Sequence, residues 1–195
     1  MTEEKTLAPE EAPKAYNKAF KQETFTSKRG NDYLFTYVGT KYVLKNVIAP
    51  ASVPGGRDQS ILHNKLIEHV LEGDYGWDYW DKKLSNGKKS DSIEVPDHDC
   101  TKVTYNFKFP GFQVIDEISK DSVDANGDFD VVAYWEQLMK RVIQNEEVDF
   151  DYWDTHDGIN TVMSAADEFI GEAVADSEFA EVMDAAEAFV DKYFH

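Results

Sequence analysis

The chain has 195 residues, 42% of them hydrophobic and 13% aromatic, with 38 acidic against 20 basic side chains for a formal charge of -18. That apolar content suffices for a buried core and excludes a disordered polyelectrolyte. The charge argues against nucleic acid phosphate and anionic lipid as partners, and fits a basic protein partner or the dispersal of an aggregation-prone client.

Cys100, the single cysteine, leaves no internal disulfide framework, as in a reducing compartment. No apolar stretch reaches the roughly 20 residues that span a bilayer, and Met1-Thr-Glu-Glu-Lys5 does not read as a secretory signal. A cytoplasmic protein, free of membrane, is expected.

Residues 1–30 are polar, carry Pro9 and Pro13, and read as a loosely attached arm with a short helix at Lys14–Phe20. Tyr33-Leu-Phe-Thr-Tyr-Val-Gly39 then alternates apolar and other residues as a half-buried strand does. Tyr105-Asn-Phe-Lys-Phe-Pro-Gly111 repeats it at an offset of 72, and the same offset pairs Val43 with Ile115, Leu66 with Leu138, Ile67 with Met139, Val70 with Val142 and Leu71 with Ile143. After a one-residue slip, Asp78-Tyr-Trp-Asp81 matches Asp151-Tyr-Trp-Asp154. A gap-free register ending in two identical tetrapeptides points to an internal duplication.

Each unit reads as strand, glycine turn, short helical turn, variable loop, longer helix and aromatic-acidic segment. In the first, Leu62, Leu66 and Val70 form the helical face, with Asp58 or Ser60 as N-cap and Gly73 as the stop. In the second, Val131, Trp135, Leu138, Met139, Val142 and Ile143 share a face, with Asp128 or Asp130 as cap. Between the units, Leu84–Asp99 carries turn residues, and Ile93-Glu-Val95 suggests an edge strand.

A shorter repeat closes the chain: Val162-Met-Ser-Ala-Ala-Asp-Glu-Phe-Ile170 returns twenty residues later as Val182-Met-Asp-Ala-Ala-Glu-Ala-Phe-Val190. Both copies follow the i, i+3, i+4, i+7 rule, with Gly171 and Asp176-Ser177 between them, and predict an antiparallel helix pair. From Glu146 onward fifteen carboxylates face one basic side chain, Lys192. The expected fold is α+β and predominantly helical, with two tandem pseudo-symmetric strand-helix units sharing a small antiparallel sheet. The expected divisions are an arm (1–30), a first unit (31–83), a linker (84–102), a second unit (103–156) and an acidic C-terminal helical hairpin (157–195).

Catalytic and metal signatures are weak. Asp97-His-Asp-Cys100 offers ligand types but no second Cys or His pair, so it reads as an exposed polar loop. Asp124-Ala-Asn-Gly-Asp-Phe-Asp130 resembles a calcium loop, yet alignment on Gly127 puts Ser122 first and Ala133 twelfth, and both end ligands fail. The histidines show no His-Glu-x-x-His, and neither Gly-x-Ser-x-Gly nor a phosphate loop occurs. No catalytic residue, metal or cofactor is assigned, and a non-enzymatic role is expected. Trp80 and Trp153 either pin each unit against its own strand or, if exposed, anchor an interface.

Phe107-Lys-Phe-Pro-Gly111, Leu138-Met-Lys-Arg-Val-Ile143, Val148-Asp-Phe-Asp-Tyr-Trp153 and Val162-Met-Ser-Ala-Ala-Asp-Glu-Phe169 together resemble the tail assembly chaperones of long-tailed bacteriophages infecting Gram-positive bacteria. The resemblance covers about residues 103–170, and 31–82 through the internal similarity. The chain departs from the pattern at Gln144-Asn145-Glu146, where such proteins often have Pro-Lys. It implies viral tail assembly: protein binding to the tape-measure protein, with tail-tube subunits as further partners, in the host cytoplasm and not in the mature virion. Partner binding is expected at Phe179, Met183, Phe189 and Tyr193 with Trp80 and Trp153, surfaces also compatible with self-association. The alternative is an acidic phage inhibitor, a nucleic-acid mimic that binds a basic host protein.

Overall fold

The structure, a computed structural model, describes residues 21–53, 56–124 and 126–194. Its first half opens with an antiparallel hairpin, β1 (Lys21–Thr26) and β2 (Asp32–Tyr37). Alternation on β2 turns Tyr33, Phe35 and Tyr37 inward. The last residues of the expected arm are therefore a strand, while the helix expected at 14–20 lies outside the described residues. β1 is mostly exposed and polar, as suits an edge strand, so it carries little apolar alternation.

After Gly39 a continuous helical stretch runs through α1 (Thr40–Val43), a π turn (Leu44–Ile48) and α2 (Ala49–Ala51), burying Val43, Val47 and Ala51. A two-residue ladder, β3 (Ser52–Val53) with β4 (Gly56–Arg57), leads to α3 (Gln59–His69). Asp58 caps α3, its carboxylate accepting from the Ile61 amide at 3.1 Å. Gly73 is not the stop: α3 ends at His69, and β5 (Leu71–Glu72) is already paired to β2 through Phe35 and Leu71. Gly73 is needed for another reason. At φ 132 a side chain is strained, and a Cβ would run into the Tyr75 ring. α4 (Trp77–Lys83) then lays Trp80 on Tyr33, ring centroids 5.6 Å apart.

The second half is built from β6 (Ser90–Pro96), β7 (Lys102–Lys108), α5 (Phe112–Asp121), α6 (Val131–Arg141) and α7 (Phe150–Trp153). The expected linker thus contains a whole strand, including Ile93-Glu-Val95. Phe107 bridges Ile143, Asp130 caps α6 at the Val132 and Ala133 amides, and Trp153 stacks on Tyr105 at 5.5 Å. Each hairpin strand also receives the end of its own half's longer helix: the Thr36 amide donates to Val70 O and the Lys108 amide to Val142 O, at 2.8 and 2.9 Å.

The shared sheet expected from the sequence is not formed. β1-β2-β5 and β6-β7 are separate sheets. Helices separate the two halves: α5 packs on α3 and α4 as well as on α6, and Phe112 stacks on Phe179 at 4.7 Å. The Asp81 carboxylate accepts from the Phe112 amide at 2.9 Å, so the end of the first tetrapeptide caps the second half's first helix.

α8 (Ile159–Ala175) and α9 (Glu178–Asp191) are joined at Asp176-Ser177, with Ser177 capping α9. They do not chiefly pack on each other. α8 lies on β6, β7 and α6, and Phe169 meets Phe107 at 6.0 Å. α9 lies on β1, β2, α3 and α4, and Phe189 meets Phe35 at 5.6 Å. Each begins beside the turn of the hairpin it covers. The Asp157 amide donates to Asp97 at 2.9 Å, and Glu178 accepts from Ser27 at 2.5 Å.

Candidate functional site

The residues expected to meet a partner are mostly core. Phe179, Met183, Phe189 and Trp80 are buried, while Tyr193 and Trp153 are partly buried and packed on the same core. Phe179 contacts His63, Trp77, Trp80 and Phe112 with ring centroids 4.7–5.7 Å apart. A side chain that stabilises the core by about 1.5–3 kcal/mol on burial cannot also lie open to a client. The stripe of α9 expected to meet a partner is covered instead by the first hairpin and by α3, α4 and α5.

Two polar clusters tie these elements together. Glu178, 3% exposed, accepts from Ser27 Oγ, Asn31 Nδ2 at 2.7 Å and Lys83 Nζ at 3.0 Å. Burial opposes its ionisation, but these donors overcome that and pull its carboxyl down to about 2. Burial is likewise the leading cause, ahead of Tyr79 and Glu178, of the upward push on the neighbouring Tyr33 hydroxyl.

His63 on α3 lies 2.7 Å from Asp116 of α5 through Nδ1 and 3.6 Å from Glu187 of α9 through Nε2. Burial works against its charge, yet the two carboxylates raise it to about 9. Since this lies above the ordinary 6.5, its stabilisation is complete below pH 6.5 and disappears as pH rises through 9. Urea unfolding should therefore show a loss on the order of 2–3 kcal/mol across that window. H63Q should flatten the dependence, whereas an unchanged slope would remove His63 from its cause.

Exposed apolar surface lies elsewhere. Val123, Phe129, Val131 and Val132 are all exposed around the α5–α6 turn, with Phe129 at 64%. Phe129 and Val131 edge an open groove between α6 and α8, lined also by Tyr134, Trp135, Met163 and Asp167. Leu44, on the outer side of the π turn, is 49% exposed. Sequence periodicity missed Leu44, Val123, Phe129 and Val132, which belong to no regular stripe, and it placed Val131 on the apolar face of α6, whose first turn is exposed instead. The signal was an aromatic flanked by acids, Asp128-Phe129-Asp130.

The other motifs serve as turns. Asp97 begins the β6–β7 turn and accepts from the His98 and Asp157 amides, and Cys100 adopts φ 63 there, the left-handed place that Gly30 holds in the first hairpin. Asp124 accepts from the Asn126 and Asp128 amides, closing the calcium-like loop on itself. Among the described residues no group of three or more His, Cys, Asp or Glu could hold a metal ion, and no helix is long and apolar enough to cross a membrane. Compared with protein-family models, curated proteins and solved structures, the chain matches none.

Proposed function

We propose that this chain is a non-catalytic tail assembly chaperone of a long-tailed bacteriophage, built from two tandem pseudo-symmetric units. It binds the tape-measure protein, and tail-tube subunits with it, in the host cytoplasm and is released before the tail is finished. The observation that carries the reading is that the four segments resembling the family pack into one module. Phe107 bridges Ile143 and meets Phe169, while the Trp153 indole N–H donates to Met139 Sδ at 3.3 Å.

The duplication is supported by the matching contacts of the first half: Phe35 with Leu71 and Phe189, and Tyr33 with Trp80. The irregularities fit as well. The Asp58 amide donates to Ala51 O and the Asp130 amide to Ser122 O, both at 2.8 Å, so the offset drops here from 72 to 71. A π turn accommodates one additional residue within a helix, and it lies in the half that has the extra residue.

A long helical client exposes apolar side chains until it assembles, and a partner with a charge of -18 keeps such a complex dispersed. Co-expression with the tape-measure protein of the same phage is the test. The client should move from the insoluble to the soluble fraction and co-purify with this chain. Equal solubility with and without it would end the chaperone reading.

A further inference from the structure

We propose that the cleft between β6 and α8 receives a lysine side chain of a basic partner protein. It is an open hollow of about 300 Å³, with Ile93, Phe169 and Ala173 in its wall and the carboxylates of Asp91, Glu168 and Glu172 around it. That volume stands at the lower end of ligand-binding cavities, so it suits one side chain better than a larger ligand. Lys88, also in the wall, donates to the Glu172 main-chain oxygen at 3.2 Å and pairs with Asp176. Among the described residues, Asp91, Glu168 and Glu172 are left without an ion-pair partner.

In the first half a lysine holds the matching place. The hairpins correspond in register, Glu23 pairing with Phe35 and Asp91 with Phe107. Each of those rings meets a phenylalanine of the helix that covers it, Phe189 or Phe169. Three residues further along these helices stand Lys192 in one and Glu172 in the other. Lys192 Nζ donates to Glu23 at 2.8 Å, and Lys21 Nζ lies 3.9 Å from the centre of the Tyr193 ring. Where the first half pairs Lys192 with Glu23, the second half has two carboxylates, Glu172 and Asp91, lining one cleft. Two smaller residues open the space. Ile93 corresponds to Phe25, which stacks on Phe35 at 6.1 Å, and Ala173 corresponds to Tyr193.

An ammonium on a flexible apolar stem fits both parts of this surface. The stem lies along Ile93, Phe169 and Ala173, while three N–H donors serve carboxylates that come from two elements. A guanidinium favours two parallel bonds to a single carboxylate instead. The fifteen carboxylates from Glu146 onward, against Lys192 alone, add a field that draws a basic segment toward α8. The cleft serves any partner that presents such a lysine, so it does not depend on the chaperone reading.

The probe is lysine blocked at both ends, Nα-acetyl-lysine amide, titrated into the full chain and followed through its amide NMR shifts. Exposed ion pairs are individually weak, so a Kd on the order of millimolar is expected, with shifts centred on Ile93, Phe169 and Ala173. The same compound acetylated on its ammonium nitrogen, at matched ionic strength, should bind at least about tenfold more weakly. Glu172→Lys supplies the cleft with the side chain that the first half carries there. It should weaken binding at least about tenfold while circular dichroism stays unchanged. D91N combined with E168Q adds no competing cation and should also weaken it. Shifts spread evenly over the acidic surface, equal binding of the acetylated compound, or unchanged affinity in either variant would each overturn the proposal. Putrescine is the second probe: shifts with it but none with the blocked lysine would assign the cleft to a free diamine and likewise overturn it. Solubility of the tape-measure protein is read in a separate experiment, so either proposal can fail alone.

Discussion

Phe179→Ala is expected to destabilise the whole chain by about 3–5 kcal/mol, the usual cost of emptying a buried aromatic site. Phe179 lies where α9, α3, α4 and α5 converge, against His63, Trp77, Trp80 and Phe112. Its removal takes contacts from both halves at once, and the rings around it are held by other contacts (His63 by Asp116, Trp77 by Asn64, Trp80 by Tyr33, and Phe112 through its amide by Asp81), which limits collapse into the space. For a chain of this size the thermal midpoint should fall by roughly 10 °C. Thermal and urea unfolding followed by circular dichroism would measure it. If stability were unchanged while complex formation alone was lost, Phe179 would be a contact residue after all, contrary to its burial.

Glu178→Ala should cost about 3 kcal/mol, because it strands donors that were desolvated to meet one carboxylate. Ser27, Asn31 and Lys83 come from the first hairpin turn and α4, so the variant should also loosen the start of α9 from β1–β2. Hydrogen exchange at Ala180–Met183 would report that loosening. The pH dependence has the opposite sense to that of His63. The Glu178 carboxyl, about 2 in the folded chain against an ordinary 4.5, stabilises fully above pH 4.5 and loses its contribution as pH falls through 2. Wild type should therefore converge on the variant in acid, and a constant gap down to pH 2 would show that the carboxylate's charge is not what holds the turn.

Much of the local structure was legible in the residues. The alternation of Tyr33, Phe35 and Tyr37, and of Tyr105 and Phe107, marked strands whose inward side chains are buried. Asp58 and Asp130 were each one of two cap candidates, beside Ser60 and Asp128, because a short polar side chain before an apolar-periodic run can reach free amides, and the structure places the caps at Asp58 and Asp130. The stripes of α8 and α9 were plain from spacing alone. β1 was missed because Lys21-Gln-Glu-Thr-Phe-Thr26 is an exposed edge with one aromatic, and an edge strand needs little apolar alternation. Gly73 was misread because a glycine after a helical run suggests a stop, whereas here it makes room for Tyr75.

By itself the sequence determined the inner strand of each hairpin, most of the longer helices and their apolar stripes, and a residue pattern that recurs at an offset of 72. Tertiary structure alone decided what those faces meet. Periodicity records that a stripe must be buried and is silent about its partner, so nothing in the repeat at Val162 and Val182 announced that α8 would cover the second hairpin and α9 the first. That choice depends on shape and reach between distant segments, seen in Phe169 against Phe107 and Phe189 against Phe35. It also moved the available surface from the stripe of α9 to the groove beside Phe129, because an apolar stripe is a docking site only when the rest of the chain leaves it uncovered.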